Sequence, residues 1–381
     1  MLSRLGLYIH VPFCRRKCLY CDFYSVCRSA ENEIPYAEAL LNQMKKWKPK
    51  AKKNAIDTVY IGGGTPSLLK NETMYEIMCA VHSDFHVLSN AEISIEANPG
   101  MLTGDKLAYY RGLGINRLSI GMQSANDEEL RMLGRPHTFE EFRSAFYIAR
   151  MEGFKNVNVD IMYGIPKQTK MGFLDSLGRL IELSPDHISL YGLKVEENTP
   201  LAGLTALTSK IPDEETQAEM YLSAVALLSK AGYEQYEISN FAKPQKTCRH
   251  NLRYWRGEGY LGFGPSASSY FGSTRFTCER DLKKYIANEG DESRMLSEKK
   301  ILTKQDIETE YVMLRFRLAE GIDVKDYMNR FGVNFDARYG GKMEPYVAKE
   351  FIVPTKSGYR LSPKGMLVSN AILSDILEFD Y

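Results

Sequence analysis

Near its start the chain carries the segment Cys14-Arg15-Arg16-Lys17-Cys18-Leu19-Tyr20-Cys21. Its C-x3-C-x2-C spacing directly follows a predicted strand. Three thiolates can bind three irons of a cubane and leave the fourth iron open, whereas a structural zinc site or a closed cluster usually takes four protein ligands. The segment therefore predicts a [4Fe-4S] cluster held by Cys14, Cys18 and Cys21.

The iron without a protein ligand is free to bind a small molecule. S-adenosylmethionine (SAM) can chelate that iron through its amino and carboxylate groups, which brings the sulfonium close enough to accept an electron and release a 5′-deoxyadenosyl radical. Two alternatives remain open on spacing alone. One is a zinc site completed by Cys27 or His10, and the other is three unrelated cysteines.

Composition limits the classes of function. The 381 residues can form one large and one smaller domain, and 49 Lys and Arg against 48 Asp and Glu give a net charge of +1. This balance provides no global field for nucleic acid or an anionic membrane. Seven cysteines, three of them within eight residues, indicate metal ligation in a reducing compartment. With no signal-peptide core or 18-residue apolar span, we expect a soluble, cytoplasmic protein without a transmembrane segment.

Over the first half of the chain, short apolar runs alternate with longer amphipathic segments. The predicted strands are 5–10, 57–61, 92–97, 117–122, 156–162 and 187–191, and the main predicted helices are 34–47, 72–81, 139–152 and 171–183. Each strand is followed by enough chain for a right-handed crossover, which predicts an α/β fold with six parallel strands. Periodicity alone does not separate an open sheet from a full or partial barrel.

The pattern changes after residue 191. We expect a helix over 213–231, a strand over 233–238, a Gly/Ser-rich stretch over 257–272, helices over 304–319 and 324–331, a hairpin over 351–361 and a final helix over 363–379. The last part is similar to a winged-helix module but lacks a basic run for DNA. The predicted division is a barrel over 1–235, a connecting segment over 236–300 and a helical domain over 301–381.

Glycine-rich and polar positions cluster at the C-terminal ends of the predicted strands, where barrels and parallel sheets place ligands. The segment Gly62-Gly63-Gly64-Thr65-Pro66 lets a ligand approach the backbone closely. Polar side chains follow later strands, namely Glu96, Gln123, Arg135 and Asp160. Each is individually more typical of a cap or a buried ion pair, but their joint occurrence favours a polar cofactor.

The motif His250-Asn251-Leu252-Arg253-Tyr254-Trp255 lies beyond the repeats. A histidine among aromatic residues can bind haem iron while flat rings pack on the macrocycle. A buried structural histidine is the commoner outcome for such a residue. Both interpretations of His250 remain open from the residues alone.

Several motifs together resemble the radical SAM family of oxygen-independent coproporphyrinogen III oxidases and their relatives, over nearly the whole chain. Beside the cysteine loop they are Tyr8-Ile-His10-Val-Pro-Phe-Cys14, Gly62-Gly-Gly-Thr-Pro66, Gly121-Met-Gln-Ser124 and Val159-Asp-Ile-Met-Tyr-Gly-Ile-Pro166. The resemblance implies a partial (β/α)6 TIM barrel with a C-terminal helical, winged-helix-like domain. It implies SAM contacts from Tyr8, Tyr20, Gly63, Gly64, Thr65, Glu96, Gln123, Arg135 and Asp160.

Two branches of that family differ after the third cysteine. The coproporphyrinogen dehydrogenases carry a further cysteine two residues on and a long N-terminal extension, whereas here Phe23 occupies that position and 13 residues precede Cys14. The haem chaperones resemble this chain in both respects, in the His250 motif and in Tyr191-x-Leu-x-x-Glu196-x-x-Thr199-Pro200.

The chaperone branch is therefore the favoured interpretation, with the dehydrogenase as the alternative. It implies haem as a further ligand, held by His250 with Cys248 as a second candidate. It also implies acceptor haemoproteins as partners, without nucleic acid, and allows peripheral contact with membrane haemoproteins.

Overall fold

The computed structural model describes residues 2–377. Its strands, in chain order, are β1 (Ser3–Val11), β2 (Phe13–Cys14), β3 (Val26–Cys27), β4 (Asn54–Gly63), β5 (Val87–Ala97), β6 (Arg117–Gln123), β7 (Val157–Tyr163), β8 (His187–Gly192), β9 (Glu234–Gln235), β10 (Asn240–Ala242), β11 (Tyr260–Phe263), β12 (Ser268–Phe271), β13 (Thr274–Cys278), β14 (Leu296–Ile301), β15 (Ile322–Asp323), β16 (Ile352–Pro354) and β17 (Gly358–Leu361). Short 3-10 helices lie between some of these strands, at Pro66–Leu68, Pro99–Met101, Pro200–Gly203 and Glu292–Arg294.

The α-helices lie mainly between the strands and in the C-terminal third. They are α1 (Ala30–Trp47), α2 (Asn71–Asp84), α3 (Gly104–Gly112), α4 (Asp127–Met132), α5 (Phe139–Met151), α6 (Lys170–Glu182), α7 (Thr205–Thr208), α8 (Glu214–Lys230), α9 (Arg249–Trp255), α10 (Leu282–Ala287), α11 (Lys304–Arg315), α12 (Val324–Phe331), α13 (Phe335–Ala348), α14 (Pro363–Leu367) and α15 (Ser369–Ile376). Several of these helices begin at a residue whose side chain accepts a hydrogen bond from a backbone amide of the first turn. Thr138 does so for α5 and Thr169 for α6.

The six predicted parallel strands form the centre of the main sheet in the order β1-β4-β5-β6-β7-β8. Every residue of β6 is buried, as expected for a parallel strand covered on both faces. Helices α1, α2, α3, α5 and α6 lie in the connections between these strands. The partial (β/α)6 barrel predicted from the sequence is confirmed.

The sheet continues past β1 in a way that the sequence did not predict. Strand β11 pairs in parallel with β1, and β12, β13 and β14 follow as antiparallel strands. Gly262 of β11 allows β12 to approach closely, because a β-carbon at this position would overlap the carbonyl oxygen of Ser268. Residues 236–300 thus contribute strands to the main sheet, although the Gly/Ser-rich composition of residues 257–272 is typical of a loop.

The predicted strand 233–238 and the predicted helix 304–319 both end earlier than expected. Only Glu234–Gln235 of the predicted strand 233–238 joins the sheet, because Glu237 pairs instead with Leu318 of the C-terminal region. The same contact ends α11 at Arg315 rather than at residue 319, since the Ala319 amide donates to the Tyr236 carbonyl at 3.0 Å.

The predicted final helix 363–379 is wrong as a single element. It divides into α14 and α15 at Val368, whose φ of −110° and ψ of 21° leave the helical region. The division lets Met366 contact Tyr221 through its sulfur at 3.7 Å while Ile372 packs in the C-terminal core. Residues 378 and 379, the predicted end, lie outside the described residues.

The C-terminal region has a second core of its own, built on aromatic residues such as Tyr311, Tyr327 and Phe335. The predicted hairpin is confirmed as the antiparallel pair β16 and β17, with β15 added beside β17. The boundaries proposed between the three segments of the chain stay a prediction. Among residues 2–377, no helix combines the length and the apolar character that crossing a bilayer requires.

We predict that Gly262→Ala lowers the free energy of unfolding by about 1–3 kcal/mol, because the added methyl overpacks the β11–β12 contact. Gly178→Ala is the matched control: Gly178 lies inside α6 with open space around it, so alanine should stabilise by up to about 1 kcal/mol. Urea unfolding followed by circular dichroism measures both. Equal stability of the two variants would contradict the extended sheet.

Candidate functional site

A cavity of about 540 Å³ lies at the C-terminal ends of the parallel strands. Its volume falls in the range of small-molecule sites. Most of the residues predicted to form a site line it together, namely Cys14, Cys18, Tyr20, Cys21, Gly63, Gly64, Thr65, Glu96, Gln123, Arg135 and Asp160. We call it the central cavity. Side chains distant in sequence meet there because parallel strands end at the same edge of the sheet.

The cysteine loop is fixed to the barrel by Leu19, which lies between Cys18 and Cys21. The amide of Leu19 donates to the Leu133 carbonyl at 3.1 Å, and the Leu19 carbonyl accepts from the Leu201 amide at 2.9 Å. The Leu19 side chain packs on a small apolar cluster that contains Leu133 and Leu201. These contacts hold the three cysteines on the cavity wall.

Two donors contact the cysteine sulfurs. Arg135 Nη1 donates to Cys18 Sγ and Thr65 Oγ1 donates to Cys14 Sγ, each at 3.6 Å. Burial, followed by the neighbouring thiols of Cys18 and Cys14, raises the pKa of the Cys21 thiol. A positive and a neutral donor beside the sulfurs suit ligands that become thiolates.

The donor set distinguishes between cluster and zinc. The lining of the central cavity contains three cysteines and neither histidine nor a fourth thiol. His10 uses both ring nitrogens for hydrogen bonds, with the Tyr8 hydroxyl at 3.0 Å and the Tyr24 carbonyl at 2.9 Å, and Cys27 is exposed. Within residues 2–377, no three His, Cys, Asp or Glu side chains gather around one ion-sized point. Three thiols around a cavity fit an iron–sulfur cluster with one corner left to another ligand.

Glu96 is the most perturbed carboxyl group of the central cavity. It accepts hydrogen bonds from the Tyr60 hydroxyl at 2.8 Å and the Gly63 amide at 3.1 Å. Burial raises its pKa to about 7, and Asp160 nearby adds to the rise. Burial also raises the pKa of Asp160, which accepts from Asn158 at 2.7 Å. Two acidic groups close together can accept hydrogen bonds from the hydroxyls of a polar ligand.

Arg135 supplies positive charge at the cluster side of the cavity. Its Nη2 donates to Asn98 Oδ1 at 2.7 Å and to the Gly121 carbonyl at 2.9 Å. Its Nε is buried and has no hydrogen-bond partner within the described part of the chain. A half-buried guanidinium that forms no salt bridge with a carboxylate of the described residues is suited to bind a ligand carboxylate.

The glycine-rich turn has its amide groups already engaged. The Gly63 amide donates to Glu96, the Gly64 amide to the Val11 carbonyl at 2.8 Å, and the Thr65 amide to the Phe13 carbonyl at 2.7 Å. Gly63 has a φ of 109°, which only glycine adopts readily. A ligand donor, such as an amino group, would have to use carbonyl oxygens of this turn.

Several polar residues of the cavity were not predicted as site residues, although Tyr191, Glu196 and Asn251 belong to motifs quoted above. They are Tyr60, Asn98, Arg117, Ser119, Asn158, Ser189, Tyr191, Lys194, Glu196 and Asn251. Arg117 and Ser119, like Asn158 and Asp160, alternate with apolar residues and so share one face of a strand. This period-two pattern is the signal that could have identified the strand residues among them.

Tyr8 lies apart from the other predicted residues. It lines a neighbouring cavity of about 460 Å³, which we call the aromatic cavity and which also contains Tyr24, Tyr254, Tyr260 and Arg280. Tyr20, Cys21 and Phe23 line both cavities. The predicted SAM contact of Tyr8 therefore stays a prediction.

His250 and Cys248 are both fully buried. The ring of His250 bonds to Thr58 Oγ1 at 2.9 Å and to the Tyr254 hydroxyl at 2.8 Å, and it stacks on Tyr60. Burial lowers the pKa of His250 to about 3 and raises that of Cys248 to about 12. In this arrangement His250 is a satisfied core histidine, and iron binding would require the loss of one of its hydrogen bonds.

The chain's similarity to known proteins agrees with this site. Residues 8–180 match the Radical SAM superfamily and residues 302–368 match the HemN C-terminal domain. The barrel and its three-cysteine loop are thus those of a radical SAM protein. The heme chaperones HemW of Haemophilus influenzae, Escherichia coli and Bacillus subtilis are 35%, 34% and 33% identical to this chain. These alignments cover 98%, 98% and 97% of this chain and 97%, 98% and 98% of those proteins. The chain belongs to the heme chaperone HemW family.

A solved structure supports the fold. Coproporphyrinogen III oxidase (HemN) of Escherichia coli superposes with a TM-score of 0.86 at 24% identity, over 99% of this chain and 91% of that one. At this identity the similarity concerns the arrangement of the backbone. The same arrangement therefore serves a relative named for a different activity.

We predict that Glu96→Gln stabilises the metal-free protein more at pH 8 than at pH 5, by about 1–2 kcal/mol. Since the folded-state pKa of about 7 lies above the ordinary 4.5, the folded protein holds this proton more tightly than the unfolded chain. Stability from Glu96 is therefore lost as the pH rises through 7. Thermal unfolding of wild type and variant at both pH values measures the difference. The exposed Glu298→Gln is the control, and an equal gain at both pH values would contradict the assignment.

We predict that His250→Gln lowers the free energy of unfolding by about 1–3 kcal/mol, because the Thr58 and Tyr254 hydroxyls lose their buried partner. The exposed His82→Gln is the matched control and should be near neutral. Denaturant unfolding measures both. If haem is bound, a Soret maximum that moves in His250→Gln with unchanged stability would support the ligand role over the core role.

Proposed function

We propose that this chain is a haem chaperone, which binds haem and transfers it to acceptor haemoproteins, and that it carries a [4Fe-4S] cluster and SAM. The observation that carries the proposal is the three-thiol wall of the central cavity in a chain of the heme chaperone HemW family. The acceptors are recognised locally, since the net charge of +1 gives no long-range attraction.

In this proposal Cys14, Cys18 and Cys21 hold the cluster. Arg135 and Thr65 support it through their contacts to two of the sulfurs. When bound, a cluster of this kind supplies one-electron transfer to SAM. Leu19 fixes the loop through its contacts with Leu133 and Leu201.

SAM is assigned to the rest of the central cavity. Its carboxylate would find the guanidinium of Arg135, and its amino group the carbonyl oxygens of residues 63–65. Its ribose hydroxyls would find the carboxyl groups of Glu96 and Asp160. Gln123 and Tyr20, which also line the cavity, are placed to contact the remaining parts of the molecule.

Phe23 favours the chaperone over the dehydrogenase. It lies at the rim of the central cavity with 69% of its surface exposed, where the resembling dehydrogenases carry another cysteine. A large exposed apolar ring beside a cofactor is suited to contact a flat ligand or another protein.

The proposal predicts about four irons and four sulfides per chain after anaerobic reconstitution. Cys18→Ala should lose the cluster, whereas Cys27→Ala, which removes an exposed thiol outside the cavity, should keep it. Added haem should then give a Soret band in wild type, and an apo-haemoprotein probe should take the haem up from the chain.

The same samples test the alternative. Formation of protoporphyrinogen IX from coproporphyrinogen III with SAM and a low-potential reductant would establish the dehydrogenase and overturn the chaperone. Zinc without iron or sulfide in protein purified anaerobically would overturn both.

A further inference from the structure

A cavity of about 610 Å³ lies between the main sheet and the C-terminal region. We call it the interdomain cavity. One side is formed by the end of β8, by residues 237–240 and by α9, and the other by Arg317 and residues 366–370. The backbone bridge between Glu237 and Leu318 joins the two sides.

Two buried polar residues, Glu237 and Asn240, line this cavity and are 0% and 4% exposed. Burial raises the pKa of Glu237, while the backbone amides of Ser239 and Asn240 beside its carboxyl group act in the opposite sense. The wall of the cavity is therefore polar on this side.

Arg317 adds a cation to the same cavity. Its Nη2 donates to Asn370 Oδ1 at 2.9 Å. Within residues 2–377 its buried Nε has no hydrogen-bond partner, and no carboxylate forms a salt bridge with it. Burial lowers the pKa of Arg317, with Glu237 acting in the opposite sense. A guanidinium so placed is suited to a ligand carboxylate.

Aromatic rings form much of the remaining wall. They belong to Tyr163, Tyr191, Tyr221, Tyr254 and Trp255. The Arg317 guanidinium lies 5.9 Å from the centre of the Trp255 ring. Flat apolar walls beside a cation select a flat molecule with acidic substituents.

The interdomain cavity adjoins the central cavity. Tyr191, Gly192 and Asn251 line both. From the His250 motif, Asn251, Tyr254 and Trp255 reach cavity walls while His250 stays in the core and bonds to Tyr254. The motif therefore provides ring surfaces, with His250 as a positioning residue.

We propose that the interdomain cavity binds the haem, with Arg317 pairing with a propionate and Trp255 and Tyr254 packing on the macrocycle. This inference rests on the proposed function and names its ligand site. The aromatic cavity is the less suitable site because its cation, Arg280, is already near Asp22 and 54% exposed.

The test uses the reconstituted full chain and two probes, iron-free protoporphyrin IX and its dimethyl ester, titrated by quenching of protein fluorescence. The ester has no charged propionates, and neither probe can bind through an iron ligand. Arg317→Leu should weaken binding of the free acid about tenfold or more and leave the ester unchanged. Arg317→Lys should recover part of the loss.

Trp255→Leu should weaken both probes, since it removes ring surface. Tyr24→Leu is the matched control and should change neither, because Tyr24 lines the aromatic cavity and not the interdomain cavity. Cluster content and thermal midpoint check that each variant is folded.

The outcomes separate the site from the function. If wild type binds the free acid but neither Arg317→Leu nor Trp255→Leu weakens binding, or if only Tyr24→Leu weakens it, the interdomain site is overturned and the proposed function still stands. Wild type that binds neither haem nor protoporphyrin overturns the proposed function as well.

Discussion

Parallel pairing of β1 with β4 and onward to β8 is the constraint on which the site depends. It aligns the C-terminal ends of strands at one edge, so the cysteine loop after β1, the glycine turn after β4, and Glu96, Gln123 and Asp160 meet in one cavity. The register places Gly121, Asp160 and Ser189 in one row. Slipping one strand by a residue would turn its polar side chains to the opposite face.

The central cavity brings acidic and basic side chains close together. It holds two half-buried acidic groups, Glu96 and Asp160, beside two guanidiniums, Arg117 and Arg135, and the Nε atom of Arg135 has no hydrogen-bond partner within residues 2–377. The raised carboxyl pKa values reflect the cost of this burial. Such a cost is typical of binding sites, because a polar ligand supplies the missing partners when it arrives.

Much of the fold and the site follows from local sequence. The cysteine spacing, the six apolar strands and the polar strand-end residues are short-range patterns, and each lies where the pattern indicated. What the sequence did not reveal depends on contacts between distant segments. Strand β11 joins β1 across about 250 residues, and His250 is buried because Thr58 and Tyr254 close around it. Tyr8 lines the adjoining cavity although its motif is next to the cysteine loop.

We propose that three protein thiolates leave one corner of an iron–sulfur cluster to SAM. Electron paramagnetic resonance of the reduced, reconstituted protein, recorded with and without SAM, tests this arrangement. We expect the cluster signal to change when SAM is added, because the small molecule becomes a ligand of the open iron. A four-iron signal that is identical with and without saturating SAM would show that SAM does not bind the cluster.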